Sequence, residues 1–224
     1  MMKRRPIAEL LDTDSGTPEQ IAASLSDLQR INRWFGGIST ARALVERVAE
    51  RTRSSRLSLL EIASGAGYVP RTVHERLRKG GIELDVTLLD RSSSHLDHFA
   101  RSVAGDVLAL PFRDESFDLV SSTLFIHHLP PEQVVRSVRE ALRVCRKAVL
   151  INDVTRSRLH LWMVYAGLPL FRSRITWHDA PASVIQAYTS EEMRAMLEDI
   201  PGTRVEICGR YLFRMGVTVW RNPQ

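Results

Sequence analysis

Two glycines one residue apart, Gly65 and Gly67, follow an apolar run that closes on an acidic residue, Leu57-Ser-Leu-Leu-Glu-Ile-Ala63. A glycine turn of this kind lets the backbone pass close against a ligand, because no Cβ stands in the way. It points to a nucleotide-like cofactor. A second apolar run ends at Asp90, at about the distance one β-α-β unit needs, and a carboxylate there is placed to grip two ribose hydroxyls. A third run ends Ala104-Gly105-Asp106, and a fourth spans 116–122. Ends of this kind line the carboxyl edge of a parallel sheet, where ligands bind in α/β folds. His127 and His128 follow the fourth run and Asn152-Asp153 closes a fifth, so imidazoles able to move a proton near neutrality fall on the same edge.

The elements that must carry these residues alternate. Strands are expected near 57–63, 84–90, 101–105, 117–122 and 147–152, and helices near 70–79, 92–99 and 131–143. Such alternation predicts a parallel sheet with helices on both faces. Residues 7–55 read helical. Thr17-Pro-Glu-Gln20 has the pattern of a capping box with proline at the first helical position, and a second helix start falls near Ser39-Thr40. Ile31–Gly37 between them is a candidate lid. The chain ends in two strand-like runs, 203–208 and 211–220, separated by Gly209-Arg210. A stretch of about 50 residues before them is too long for a plain connection, and it has an apolar helical part, 159–168, and a helix start at Thr189.

The motifs resemble those of the class I S-adenosylmethionine-dependent methyltransferases, nearest to the ubiquinone/menaquinone-type branch and its small-molecule relatives. Glu61, Gly65 and Gly67 match the first motif, with Ala63 where other members carry glycine. Asp90 matches the second, Gly105-Asp106 the third, and Phe117-Asp118 with Leu124-Phe-Ile-His-His-Leu129 the fourth. The resemblance implies a Rossmann-like α/β fold: a mostly parallel seven-stranded sheet, an antiparallel last strand and helices on both faces. Residues 1–55 would form a helical cap or lid and 56–224 the methyltransferase domain, with an insertion at about 154–202 over the active site.

It also implies S-adenosyl-L-methionine as cofactor and S-adenosyl-L-homocysteine as product. Glu61, Ala63, Ser64, Gly65 and Gly67 would lie toward the methionine and ribose, with Glu61 either touching the ligand or ordering the turn from beneath. Asp90 and Arg91 would meet the ribose, Asp106 and Val107 the adenine, and Thr123 and Leu124 complete the cofactor site. His128, with His127 and Asp153, is the candidate acid–base group, and Asp153 could equally cap local backbone. Trp34, Asn152, Trp162 and His178 are candidate substrate contacts, the aromatic residues suiting a flat apolar acceptor.

Several alternatives are disfavoured by particular residues. A dinucleotide fingerprint needs a third glycine where Pro70 stands. Base-amine methyltransferases carry an Asn/Asp-Pro-Pro-aromatic run where this chain has Ser121-Ser-Thr-Leu124. The net charge of +5 is spread over helices among acidic neighbours, as a solvated face rather than a nucleic-acid track. An RNA or protein methyltransferase and a non-catalytic cofactor-binding subunit of the same fold are the alternatives. Cys145 and Cys208 lack metal-ligand spacing and read as reduced thiols, and no metal is expected. With 44% hydrophobic and 25% charged residues, no bilayer-length apolar run, and Glu9, Asp12 and Asp14 interrupting a signal-like start, the chain is expected to be a cytoplasmic globular protein, monomer or homodimer. The expected activity is methylation of O or C on a small aromatic, quinone-like or polyketide-like acceptor.

Overall fold

Strand β1, Arg56–Ile62, sets the pattern of the fold. Its residues alternate between two buried faces: Leu57 and Leu59 join one core cluster, Leu60 and Ile62 the other. A strand covered on both sides reads as an almost continuous apolar run. In the computed structural model, which describes residues 2–13, 15–91 and 100–222, six more strands join it: β2 (Glu83–Asp90), β3 (Arg101–Ala104), β4 (Phe117–Thr123), β5 (Cys145–Val154), β6 (Thr203–Arg210) and β7 (Arg214–Arg221). The sheet order is β3-β2-β1-β4-β5-β7-β6. Pairing is parallel from β3 across to β5, while β7 inserts antiparallel between β5 and β6.

Helix α2 (Gly37–Thr52) and α3 (Tyr68–Lys79) cover one face, through Leu44, Val45, Val48, Val73 and Leu77. On the other, α4 (Pro131–Val144) contributes Val134, Val138 and Ala141, and α7 (Ser190–Leu197) contributes Met193 and Leu197. Two more helices follow β5, α5 (Arg158–Gly167) and α6 (Arg174–Gln186), and α1 (Pro18–Trp34) packs against α6 above the carboxyl edge of the sheet. Among the described residues, no helix is long and apolar enough to cross a membrane. Both cysteines are free thiols.

The capping boxes at Thr17 and Thr189 form as their spacing requires, each hydroxyl accepting the N3 backbone N–H. Thr17→Ala is therefore expected to cost about 1 kcal/mol of stability, read as a lower urea midpoint at unchanged m. Ile31–Trp34 is the last part of α1, and Phe35 and Gly36 join it to α2. Two boundary expectations need correction. The second helix starts at Gly37, with Gly36 at φ 81° as its cap, rather than at Ser39. The final turn falls at Tyr211–Phe213, because β6 runs on through Gly209 and Arg210 to pair with Met215 and Arg214. The helix expected over 92–99 lies outside the described residues.

Candidate active site

The turn after β1 is built from left-handed residues. Ala63 (φ 51°), Gly65 (φ 49°) and Gly67 (φ 66°) bend the chain sharply into α3. Alanine holds this conformation at a cost of order 1 kcal/mol, which glycine avoids. Two hydrogen bonds fix the turn to the neighbouring strand: Ser64 N–H donates to the Leu89 carbonyl at 3.1 Å, and Gly65 N–H to the Asp90 carboxylate at 2.8 Å. A Cβ built on Gly65 would meet nothing within 4 Å, so open space lies against the backbone there. At the end of β3 the packing is the reverse. A Cβ on Gly105 would lie 3.0 Å from Leu89 Cδ1 and 3.2 Å from Pro111 Cδ, and glycine allows Asp106 to reach the edge. Asp106 accepts from Leu108 N–H at 2.9 Å and stands 3.6 Å from the exposed Arg91 guanidinium.

Glu61 is buried beneath the turn. Burial pushes its carboxyl up to about 7, against hydrogen bonds from Ser121 and Thr123 that pull it down. The Ser121 hydroxyl donates to Glu61 Oε2. Ala63, Ser64, Gly65, Asp90, Arg91, Asp106, Val107, Thr123 and Leu124 all line one cavity of about 1080 Å³. Glu61 reaches the same wall, whereas Gly67 shapes the turn without lining the cavity.

A cluster of histidines and carboxylates is held by residues far apart in the chain. Buried His127 has its Nδ1 2.7 Å from Asp153 Oδ1, and its backbone N–H donates to Asp153 Oδ2 at 3.1 Å. On its other side Nε2 lies 3.4 Å from Glu9 Oε1. Burial pushes the His127 imidazole down, but the two carboxylates outweigh it and raise it to about 10. Burial likewise pushes Asp153 and Glu9 up, and the facing imidazole outweighs this, leaving both below their ordinary range. His127 is thus a buried imidazolium between two carboxylates. His128 is different: partly exposed to the cavity, it contacts Asp12 Oδ2 through Nδ1 at 2.9 Å and stands 3.9 Å from Glu9 Oε2 through Nε2.

Glu9 and Asp12 come from the N-terminal segment, which is strapped across the site. Arg4 donates to the His127 and Leu129 carbonyls, Leu10 and Leu11 N–H donate to Asp179, and Glu9 accepts from Ser183 and Gln186. Sequence reasoning missed both carboxylates. Their signal was an acidic pair interrupting an otherwise apolar start, with nothing to show what they approach.

Other candidate positions fall elsewhere. Asn152 is buried and donates to the Gly37 carbonyl at 2.8 Å, tying β5 to the start of α2 beneath the cavity instead of facing an acceptor. Asp153 stands behind His127, and it also accepts from Val154 N–H. Trp162 is 68% exposed on the outer side of α5 and His178 points away beside Asp179, so neither lines the cavity. Trp34 does line it, together with Phe35, His160 and Phe213. His160 stacks on Phe213 at 4.8 Å between ring centroids.

A glycine-floored turn and a carboxylate at the end of the second strand together form a cradle at the carboxyl edge of the 3-2-1-4-5-7-6 sheet. The open space against Gly65 and the carboxylate beside it suit an adenosyl group, since the backbone lies bare where the ligand would rest. Residues 60–151 match the family described as methyltransferase domain. The plantazolicin methyltransferase BpumL, solved in complex with SAH, superposes with a TM-score of 0.69 at 12% identity, over 96% of this chain and 95% of that one. A putative S-adenosyl-L-methionine-dependent methyltransferase from Methanococcus maripaludis gives 0.59 at 15%, over 100% and 99%. The citrinin polyketide synthase CMeT domain gives 0.67 at 16%, over 97% of this chain and 60% of that one. No curated protein sequence matches the chain. A methyltransferase domain is thus matched over residues 60–151, and the solved structures share the fold over nearly the whole chain.

Proposed function

We propose that this enzyme methylates an oxygen or carbon of a small aromatic, quinone-like or polyketide-like acceptor bound in the cavity. The observation that carries the reading is that the Gly65–Asp90 cradle and His128 share the wall of one cavity, which Trp34, Phe35, Leu170 and Phe213 make apolar. S-adenosylmethionine supplies an electrophilic methyl group. The chain supplies the rest. Asp90 accepts the ribose hydroxyls, Asp106 and Val107 border the adenine, and the apolar wall presents one face of the acceptor while excluding water. Alignment of this kind is worth roughly 7–11 kcal/mol of barrier in well-oriented reactions. His128 Nε2 takes the proton from a phenol or enol, and Asp12 at Nδ1 fixes the tautomer that leaves Nε2 free to accept it. A polyketide synthase domain among the similar folds supports the polyketide-like end of the range.

Labelled methyl transfer to a panel of phenols, quinols and enolic polyketides, with heat-killed enzyme as control, tests the reading. Incorporation into the panel is expected; incorporation into RNA or protein instead would contradict it. With an acceptor in hand, His128→Gln is expected to lower kcat about tenfold to a hundredfold at neutral pH with little change in KM for the cofactor. Full turnover across about pH 6–8 in that variant would remove His128 from the base role.

A further inference from the structure

Helix α5 is apolar, yet none of its residues is buried. Leu159 is 58% exposed, Trp162 68% and Tyr165 52%, and Leu170 just beyond is 66% exposed. This is no scatter of single surface residues. Trp34, Phe35, Met163, Leu170 and Leu212 are exposed and also line the cavity, so exposed apolar side chains stand both on the outside of the molecule and at the site. A cluster of exposed apolar side chains of this kind marks an interaction surface.

We propose that this surface seats the enzyme on an anionic lipid bilayer and that the acceptor enters the cavity from the acyl region. The charge pattern selects this occupant. From Val154 to His178 the sequence holds four arginines, Arg156, Arg158, Arg172 and Arg174, and no acidic residue. Arg156 is buried against Glu192, whereas Arg158, Arg172 and Arg174 are exposed, as is Arg33 beside Trp34. Among the described residues, no carboxylate forms an ion pair with those four exposed side chains. Tryptophan, tyrosine and leucine bordered by arginine is the composition of a segment lying in the headgroup region of a membrane. A second copy fits less well, because an isologous contact would set this arginine-only rim against itself. An apolar acceptor drawn from lipid also meets no water between bilayer and cavity. Only this route of delivery rests on reading the cavity as the acceptor site; surface binding does not.

Co-sedimentation of the full chain with phosphatidylcholine vesicles, with and without phosphatidylglycerol, tests the inference. The parent is expected to partition onto the anionic vesicles and to be released by high salt. Leu159→Ser with Tyr165→Ser, both on the outer surface and outside the cavity wall, is expected to lower that partition about tenfold, and Arg158→Glu with Arg172→Glu to do the same. S-adenosylhomocysteine affinity should be unchanged in both, which separates failure of the surface from failure of the cofactor site. Absence of partition in the parent would overturn the inference, as would equal partition in the variants. So would light scattering that shows a dimer dissolved by the Leu159→Ser and Tyr165→Ser changes, since the patch would then belong to a second copy.

Discussion

Asp90→Ala is expected to weaken S-adenosylhomocysteine binding on the order of 10²–10⁴-fold, read by titration calorimetry. The carboxylate would accept two ribose hydroxyls, and hydrogen bonds to a charged group are worth about 1.5–3 kcal/mol each. It also accepts the Gly65 N–H at 2.8 Å, so its removal loosens the turn that forms the floor of the site. Asp90→Asn keeps an acceptor for Gly65 but loses the charge, and should fall between parent and alanine. Melting temperatures without ligand should change little, because Asp90 sits at the sheet edge and not within either core cluster. Parent-like affinity in the alanine variant would show that this carboxylate does not hold the ribose.

The second large effect concerns folding. Asp153→Ala is expected to destabilise the protein by about 3–5 kcal/mol, the usual range for removing one partner of a buried ion pair. Three donors lose their acceptor: His127 Nδ1–H, His127 N–H and Val154 N–H. The pH dependence identifies the pair. His127 is raised in the fold to about 10 from an unfolded value near 6.5, so its contribution is complete below about pH 6.5 and is lost as pH rises toward 10. Asp153 and Glu9 are lowered, so theirs is present above the unfolded carboxylate range of about pH 4 and is lost as pH falls through their folded values. Stability from this cluster is therefore greatest between about pH 4.5 and 6.5. Urea unfolding at about pH 6 and pH 9 should show the parent losing stability with rising pH and Asp153→Ala losing much less. Equal slopes would mean that Asp153 does not stabilise an imidazolium.

What could be read from the sequence and what could not divide along a physical line. The cofactor side was legible because it depends on local chemistry: a strand, a left-handed turn at Gly65 and Gly67, and an acidic residue one β-α-β unit later. The capping box at Thr17 and the helix start at Thr189 were legible for the same reason. The acceptor side depends on contacts between distant segments. Glu9 lies 118 residues before His127, in a segment with no helical or strand period, so nothing local pairs them. Trp162 could not be assigned an inner or outer side, since α5 is apolar nearly all round and offers no amphipathic stripe. The close joint at Gly37, where a Cβ would lie 2.1 Å from Asn32 Oδ1, rests on packing that the sequence does not show. The insertion of β7 between β5 and β6 is a register over the whole hairpin, which alternation along one strand does not specify.

The most direct test of the central claim is a crystal structure of the protein with S-adenosylhomocysteine. Both ribose hydroxyls are expected within hydrogen-bond distance of the Asp90 carboxylate, the adenine beside Asp106 and Val107, and the sulfur facing the part of the cavity where His128 stands. A nucleoside bound elsewhere, with no ribose hydroxyl on the Asp90 carboxylate, would contradict it.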